Sequence, residues 1–151
     1  MIHGVRVKQL KMIPDERGRL MEILRCDDGE FIKFGQLYMT TAYPGVVKGW
    51  HYHKVQIDSF CAVKGMIKLV LYDAREKSAT HKEVNEFFLG EQNPILVQIP
   101  NVVYHGFKCI SETEAIVINC PTEPYHHGKP DEFRITYNDP GIPYNWDIKQ
   151  G

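Results

Sequence analysis

A chain of 151 residues, 43% of them hydrophobic, can bury one sizeable core and is too apolar to stay disordered. Its 18 basic and 19 acidic residues nearly cancel, which argues against a general nucleic-acid or membrane-surface binder but leaves room for a local phosphate site. Residues 1–18 mix charges without the apolar stretch of a signal peptide, and no apolar run approaches the ~20 residues of a membrane span, so a cytoplasmic protein with no membrane partner is expected.

Taken in chain order, the hydrophobic pattern predicts short strands over 19–24, 34–41, 46–53, 59–64, 66–73, 83–89, 95–99, 103–107, 114–120 and 133–137. Alternation is clearest where Ile67, Leu69 and Leu71 interleave with Lys68, Val70 and Tyr72. Turn residues punctuate the series at Asp27-Asp28-Gly29, Tyr43-Pro44-Gly45, Lys64-Gly65, Glu91 to Pro94 and Pro121 to Pro130. Only 75–88 could be a helix, and its 3.6-residue period is poor. Many short strands at regular spacing, without a linker or repeat, mean a single all-β domain over 1–151, an antiparallel sandwich or barrel. Cys26, Cys61, Cys109 and Cys120 form no C-x-x-C pair and read as free thiols, mostly small hydrophobes within strands.

The chemistry concentrates in Gly45-Val-Val-Lys-Gly-Trp-His51-Tyr-His53, followed by Asp58 and Gly65. On a strand, the period of 2 puts His51 and His53 on one face. A third histidine, His105, stands in Ile99-Pro-Asn-Val-Val-Tyr-His-Gly-Phe107. Three imidazoles and a carboxylate on strand-rich sequence indicate a site. His3 and His81 read instead as ordinary structural residues, and His126-His127 as a loop that is solvated or lies over the site.

The spacing G-x5-H-x-H-x4-D-x6-G is similar to the first motif of the cupins, with Asp58 in place of the usual glutamate, and Pro100-x4-His105 resembles part of the second. The resemblance implies a double-stranded β-helix (jelly-roll) barrel. A narrower ordered set resembles the dTDP-4-dehydrorhamnose 3,5-epimerase family: Asp15-Glu-Arg17-Gly18, Glu22, Gln36, Val46 to Tyr52, Ile99-Pro100, Tyr104 to Phe107, and Ile135 to Ile142. It implies an isomerase acting on a nucleotide-diphosphate sugar in deoxysugar and polysaccharide biosynthesis. His51 would be the base that removes a proton beside the 4-keto group, and Asp139 the carboxylate that orients it. Arg17, Glu22, Gln36, Lys48, His53, His105 and Tyr125 would bind substrate. Histidine suits that step because its pKa lies near neutrality. Asp139 also reads as a plain turn residue before Pro140, and Tyr137, Tyr144 and Trp146 as packing.

Two departures from the family stand out. Counting back from Gly65, Asp58 stands where an enolate-stabilising lysine is usual. Counting on from His105, Ile118, next to Asn119, stands where a tyrosine acid is usual. They favour a 3-epimerase or a 3,4-ketoisomerase over a full 3,5-epimerase, with no cofactor required. The His-x-His-Lys stretch also resembles metal-binding cupins, in which His51, His53, Asp58 and His105 would hold zinc, iron, manganese or nickel. A non-catalytic sugar-nucleotide-binding cupin is the third reading. Relatives of this kind form dimers by strand exchange, and the apolar-leaning segment 5–13 suits such a swap, so a homodimer is expected.

Overall fold

The computed structural model describes residues 1–150. Its strands are β1 (Arg6–Gln9), β2 (Met12–Asp15), β3 (Gly18–Met21), β4 (Tyr38–Ala42), β5 (Val47–Tyr52), β6 (Asp58–Lys64), β7 (Met66–Asp73), β8 (Val84–Gly90), β9 (Ile95–Ile99), β10 (Val103–Cys109), β11 (Ala115–Asn119) and β12 (Phe133–Arg134). One antiparallel sheet has the order β1-β9-β6-β11-β4, a second β12-β5-β10-β7-β8, and β2 with β3 forms a separate hairpin. This is the all-β, two-sheet arrangement expected of the jelly roll. No helix occurs among the described residues, and the 75–88 segment is a run of turns leading into β8.

The two inner faces meet over Phe60, Ala62, Ile67, Leu69, Leu71, Leu89, Val97, Ile99, Phe107 and Val117, all buried. The alternation in β7 predicts one buried face, yet both are covered. Val70 and Tyr72 sit on the outer face under Trp50, Ile142 and Trp146 of a second cluster. The chain after β12 folds back over the second sheet and is tied there. The indoles of Trp50 and Trp146 both donate to the Tyr137 carbonyl, at 3.1 and 3.0 Å, and Lys108 Nζ donates to the Trp146 carbonyl at 2.9 Å. Tyr144 and Trp146 are therefore packing residues, as read from the sequence.

Strands β1 and β2 extend the predicted set. Residues 6–9 pair with β9 of the same chain, Arg6 with Gln98 through Gln9 with Ile95, and residues 12 and 13 open the separate β2–β3 hairpin. Near the site, β5 and β10 approach so closely that a Cβ on Gly106 would lie 2.9 Å from Gly49 Cα. The β5–β10 register passes from His105↔His51 to Phe107↔Lys48, which gives β5 one extra residue, a bulge beside the histidines.

Candidate active site

A cavity of about 870 Å³ opens between the sheets at one end, lined by Gln36, Lys48, His51, His53, His105 and Tyr125 among others. The second sheet supplies the imidazoles: His51 from β5, His53 just past its end, and His105 directly opposite His51 on β10. Ring centroids of His105 lie 6.2 Å from His51 and 5.6 Å from His53. The first sheet faces them with Tyr38 and Thr40 of β4, Asp58 of β6 and Asn119 of β11. The site is thus divided across the sandwich.

Asp58 is the floor, 1% exposed. Its Oδ1 accepts from Gln56 Nε2 and Asn119 Nδ2, both at 2.7 Å, and its Oδ2 lies 3.2 Å from His53 Nε2 and 3.4 Å from His105 Nε2. Burial alone would raise this carboxyl, but the His53 hydrogen bond, the neighbouring imidazoles and Asn119 hold it down at about 2. For His53 burial works against the charged ring, and the bond to Asp58 together with the Asp131 carbonyl overrides it and raises its pKa. Its Nδ1 meets the Asp131 carbonyl, and its Nε2 lies between the Asp58 carboxylate and the Gln56 amide, 3.3 Å away. His105, fully enclosed, is pushed down by burial to about 4 and is neutral.

His51 differs from both. It is half-buried, its ring makes no hydrogen bond among the described residues, and its pKa is lowered by burial, partly offset by Glu132. Its neighbours across β12 are Arg134, paired with it in register, and Glu132, which accepts from Arg134 at 2.8 Å. The result is a neutral imidazole free to take a proton at the cavity wall.

Lys48 Nζ donates to Thr40 Oγ1 at 3.0 Å, a polar bridge between the sheets within the cavity lining. Gln36 Oε1 accepts the Tyr125 backbone N–H at 3.2 Å, which fixes the loop carrying Tyr125 and His127 at the rim. Of the residues read as substrate-binding, Gln36, Lys48, His53, His105 and Tyr125 come together here. Arg17 and Glu22 do not line the cavity of their own chain. Arg17 sits at the tip of the β2–β3 hairpin, its side chain 84% exposed and bonded to Asp15, and Glu22 pairs with Arg25. Asp139 accepts the Gly141 N–H at 2.8 Å in a turn and makes no bond to His51. The metal set also contracts: the ligand atoms within 4.8 Å of one another belong to His53, Asp58 and His105, and His51 stands outside.

Four further groups escape the motif search. Asp131 receives the backbone N–H groups of Lys54, Val55 and Gln56, at 2.8–2.9 Å, and so shapes the loop after β5. Gln56 and Asn119 orient Asp58, and Tyr38 accepts from Asn119 Nδ2 at 2.9 Å. A strand period does point to Tyr38, because it shares the parity of Gln36 and Thr40. Asn119, rather than Ile118, is the inward residue of β11, since burial alternates along that strand.

Comparison with known proteins is consistent with this geometry. The family model described as dTDP-4-dehydrorhamnose 3,5-epimerase matches residues 1–150. The chain is 41% identical over 149 residues to the spore coat polysaccharide biosynthesis protein SpsL of Bacillus subtilis, covering 99% of each. It is 43% identical over 150 residues to the "Probable low-salt glycan biosynthesis epimerase Agl13" of Haloferax volcanii, covering 98% of this chain and 96% of that one. Among solved structures, a dTDP sugar isomerase from Desulfovibrio desulfuricans G20 superposes with a TM-score of 0.91 at 35% identity, over 96% of this chain and 92% of that one.

Proposed function

Since this chain belongs to the dTDP-4-dehydrorhamnose 3,5-epimerase family, we propose that it is a sugar-nucleotide isomerase of glycan biosynthesis that acts next to the ketone of a 4-keto-6-deoxysugar. His51 removes the proton. The observation that carries the reading is the state of His51, a neutral, unbonded imidazole on the cavity wall beside two other histidines that are tied down. Its removal of a proton leaves an enolate, whose negative charge needs compensation. Asp58 would oppose that charge if it stood alone. His53, 3.2 Å away and with its pKa raised by that carboxylate, offsets the charge when protonated, so the floor of the site is not a bare anion. Lys48 supplies a point charge for the diphosphate, without the bidentate fork of an arginine. With Asp58 and Ile118 at the two departing positions, we assign reaction at a single carbon, C3, as a 3-epimerase or 3,4-ketoisomerase.

The test is deuterium wash-in from D₂O at C3 and C5 of dTDP-, CDP-, GDP- and UDP-linked 4-keto-6-deoxyhexoses. Exchange confined to C3 is expected, and none with any of the four would remove the reading. His51→Asn should lose about 10²–10⁴-fold in rate with nucleotide affinity retained.

A second reading rests on the compact set of His53, Asp58 and His105. Both imidazoles point Nε2 at Asp58 and Nδ1 at a backbone carbonyl, Asp131 for His53 and Val103 for His105. Such outer partners suit metal-bound histidines, and two nitrogens and an oxygen suit zinc, iron, manganese or nickel. A bound divalent ion would supply Lewis-acid polarisation of the ketone. Because His51 lies outside the compact set, a metal held by the other three and a free base at His51 are compatible. Elemental analysis of untagged protein decides: less than about 0.1 metal per chain, with no gain on reconstitution, removes this reading.

We read the active form as a cytoplasmic homodimer with its cysteines reduced. The exposed hairpin carrying Arg17 and the exposed apolar side chains Leu37 and Met39 beside and on edge strand β4 support the dimer. Sedimentation of the purified chain tests it.

A further inference from the structure

Asp131 closes the rim loop that carries Tyr125 and His127, two residues before β12. Its carboxylate takes three successive backbone N–H groups, Lys54 on Oδ1 at 2.8 Å and Val55 and Gln56 on Oδ2 at 2.9 Å each. Successive amides curled round one anion fix the backbone that bears them. That backbone is the link between His53 and Asp58. Its ends are held elsewhere: the His53 carbonyl accepts the Val102 N–H at 2.6 Å, and Ile57 exchanges two bonds with Thr122, each at 3.0 Å. The amides between them go to Asp131. A loop cap needs only the carboxylate, but the carbonyl of the same residue also meets His53 Nδ1. Gln56, whose N–H Asp131 holds, in turn donates through Nε2 to Asp58 Oδ1 at 2.7 Å. One residue thus governs a contact to each oxygen of the buried carboxylate.

We propose that Asp131 is a positioning residue for the reaction: it sets the ring of His53 and the reach of Gln56, and through them the place of the Asp58 carboxylate at the cavity floor. The inference rests on the reading of this cavity as an isomerase site. It applies whether His53 offsets Asp58 as a cation or joins it around a metal, because both need Nε2 aimed inward with Nδ1 on a carbonyl. Without the Asp131 carboxylate, Lys54, Val55 and Gln56 lose their acceptor, and the carbonyl on His53 loses the tether that holds it there. Displacement of a positioned group by about 1 Å costs about 10²-fold in rate. The rim keeps other anchors, since Gln36 holds the Tyr125 N–H and Thr122 holds the start of the loop. Loss of Asp131 therefore falls on turnover more than on nucleotide binding.

Asp131→Ala tests this with a dTDP-linked 4-keto-6-deoxyhexose. Its kcat should fall by about 10–100-fold, with dTDP affinity, read by calorimetry, within a few fold of wild type. Asp131→Asn keeps the side-chain volume and one oxygen acceptor, so folding is not at issue, and its kcat should lie between the two. Asp28→Ala is the control for a plain loop cap, since Asp28 accepts the Arg25 N–H at 2.8 Å and pairs with Lys8 away from the cavity. It should lower the melting temperature and leave kcat unchanged. Ring-nitrogen NMR of histidine-labelled protein, with His53 assigned through His53→Gln, gives a readout that lost stability does not move. The His53 Nδ1–H signal should shift and exchange faster in the folded Asp131 variants, and stay at its wild-type position in Asp28→Ala. A kcat within a few fold of wild type in both Asp131 variants, or an unmoved His53 signal in them, would overturn the assignment. Equal losses of kcat in Asp28→Ala and Asp131→Ala would do so as well. Absence of turnover by the wild-type enzyme would instead remove the isomerase reading, and the NMR comparison would then decide alone whether Asp131 places His53.

Discussion

Asp58→Asn preserves the volume of a side chain that is 1% exposed and keeps an Oδ1 acceptor for Gln56 and Asn119, so it isolates the charge. What it removes is the anion facing His53 at 3.2 Å. The carboxyl is held at about 2, against an ordinary value of 3.8 for an aspartate. At roughly 1.4 kcal/mol per pKa unit, that difference stabilises the fold by about 2–3 kcal/mol at neutral pH. For a chain of this size the loss corresponds to a fall in melting temperature of about 5–10 °C. The sign follows from the direction of the shift. A depressed carboxyl contributes fully above its unfolded pKa and loses that contribution as pH falls through the folded value, so the gap should narrow toward about pH 2. His53, raised by the same pairing, stabilises below its unfolded pKa and loses that contribution as pH rises through its folded one, so the gap should also shrink on the alkaline side. Thermal melts of both proteins across the pH range measure this directly. Midpoints within a degree of each other at neutral pH, or a gap that does not change with pH, would refute the charge-pair argument. The same variant divides the catalytic readings. Activity should survive in part if no metal is bound and vanish, together with metal content, if one is.

Gly106→Ala should destabilise by about 1–3 kcal/mol, read by urea melts, because the new methyl would meet the Gly49 backbone. Trp146→Ala should cost about 3–5 kcal/mol and redden and quench Trp50 fluorescence as the tail lifts from the outer face. Lys48→Ala should raise KM more than it lowers kcat and flatten the salt dependence of nucleotide-sugar binding; a pure kcat effect would move Lys48 from binding to chemistry.

Where local pattern dominates, the strands are legible from sequence: β7 and β9 fall at the predicted residues because each is a run of apolar and β-branched side chains bounded by Gly65 and Pro94 or Pro100. The convergence of His51, His53 and His105 also follows from strand period plus motif order. By contrast, β1 and β2 are four residues each, charge-mixed, and owe their existence to partners supplied elsewhere in the chain. Asp139 illustrates another limit. A carboxylate before proline reads equally as a turn or a catalytic partner, and here its bond goes to Gly141. Strand period sets Tyr38 on the face of Gln36 and Thr40, but its bond to Asn119 joins residues 81 apart in sequence, so no local window shows that pairing.

The order of the first sheet, β1-β9-β6-β11-β4, contains no two neighbours that are consecutive in the chain. During synthesis β4 and β6 emerge long before β11 and β9, which alone can pair with them, whereas the β7–β8 ribbon of the other sheet can zip as soon as it appears. Such long-range closures are slow, and they leave apolar strands with open edges in the interval. Asp58, Asn119 and Tyr38 all belong to this late sheet, while His51 and His105 belong to the other. A ribosome-bound or truncated chain lacking β11 would therefore hold its histidines without the wall that faces them. Assembly of the cavity thus waits on β11, and chaperone demand should track the lifetime of the unpaired β4 and β6.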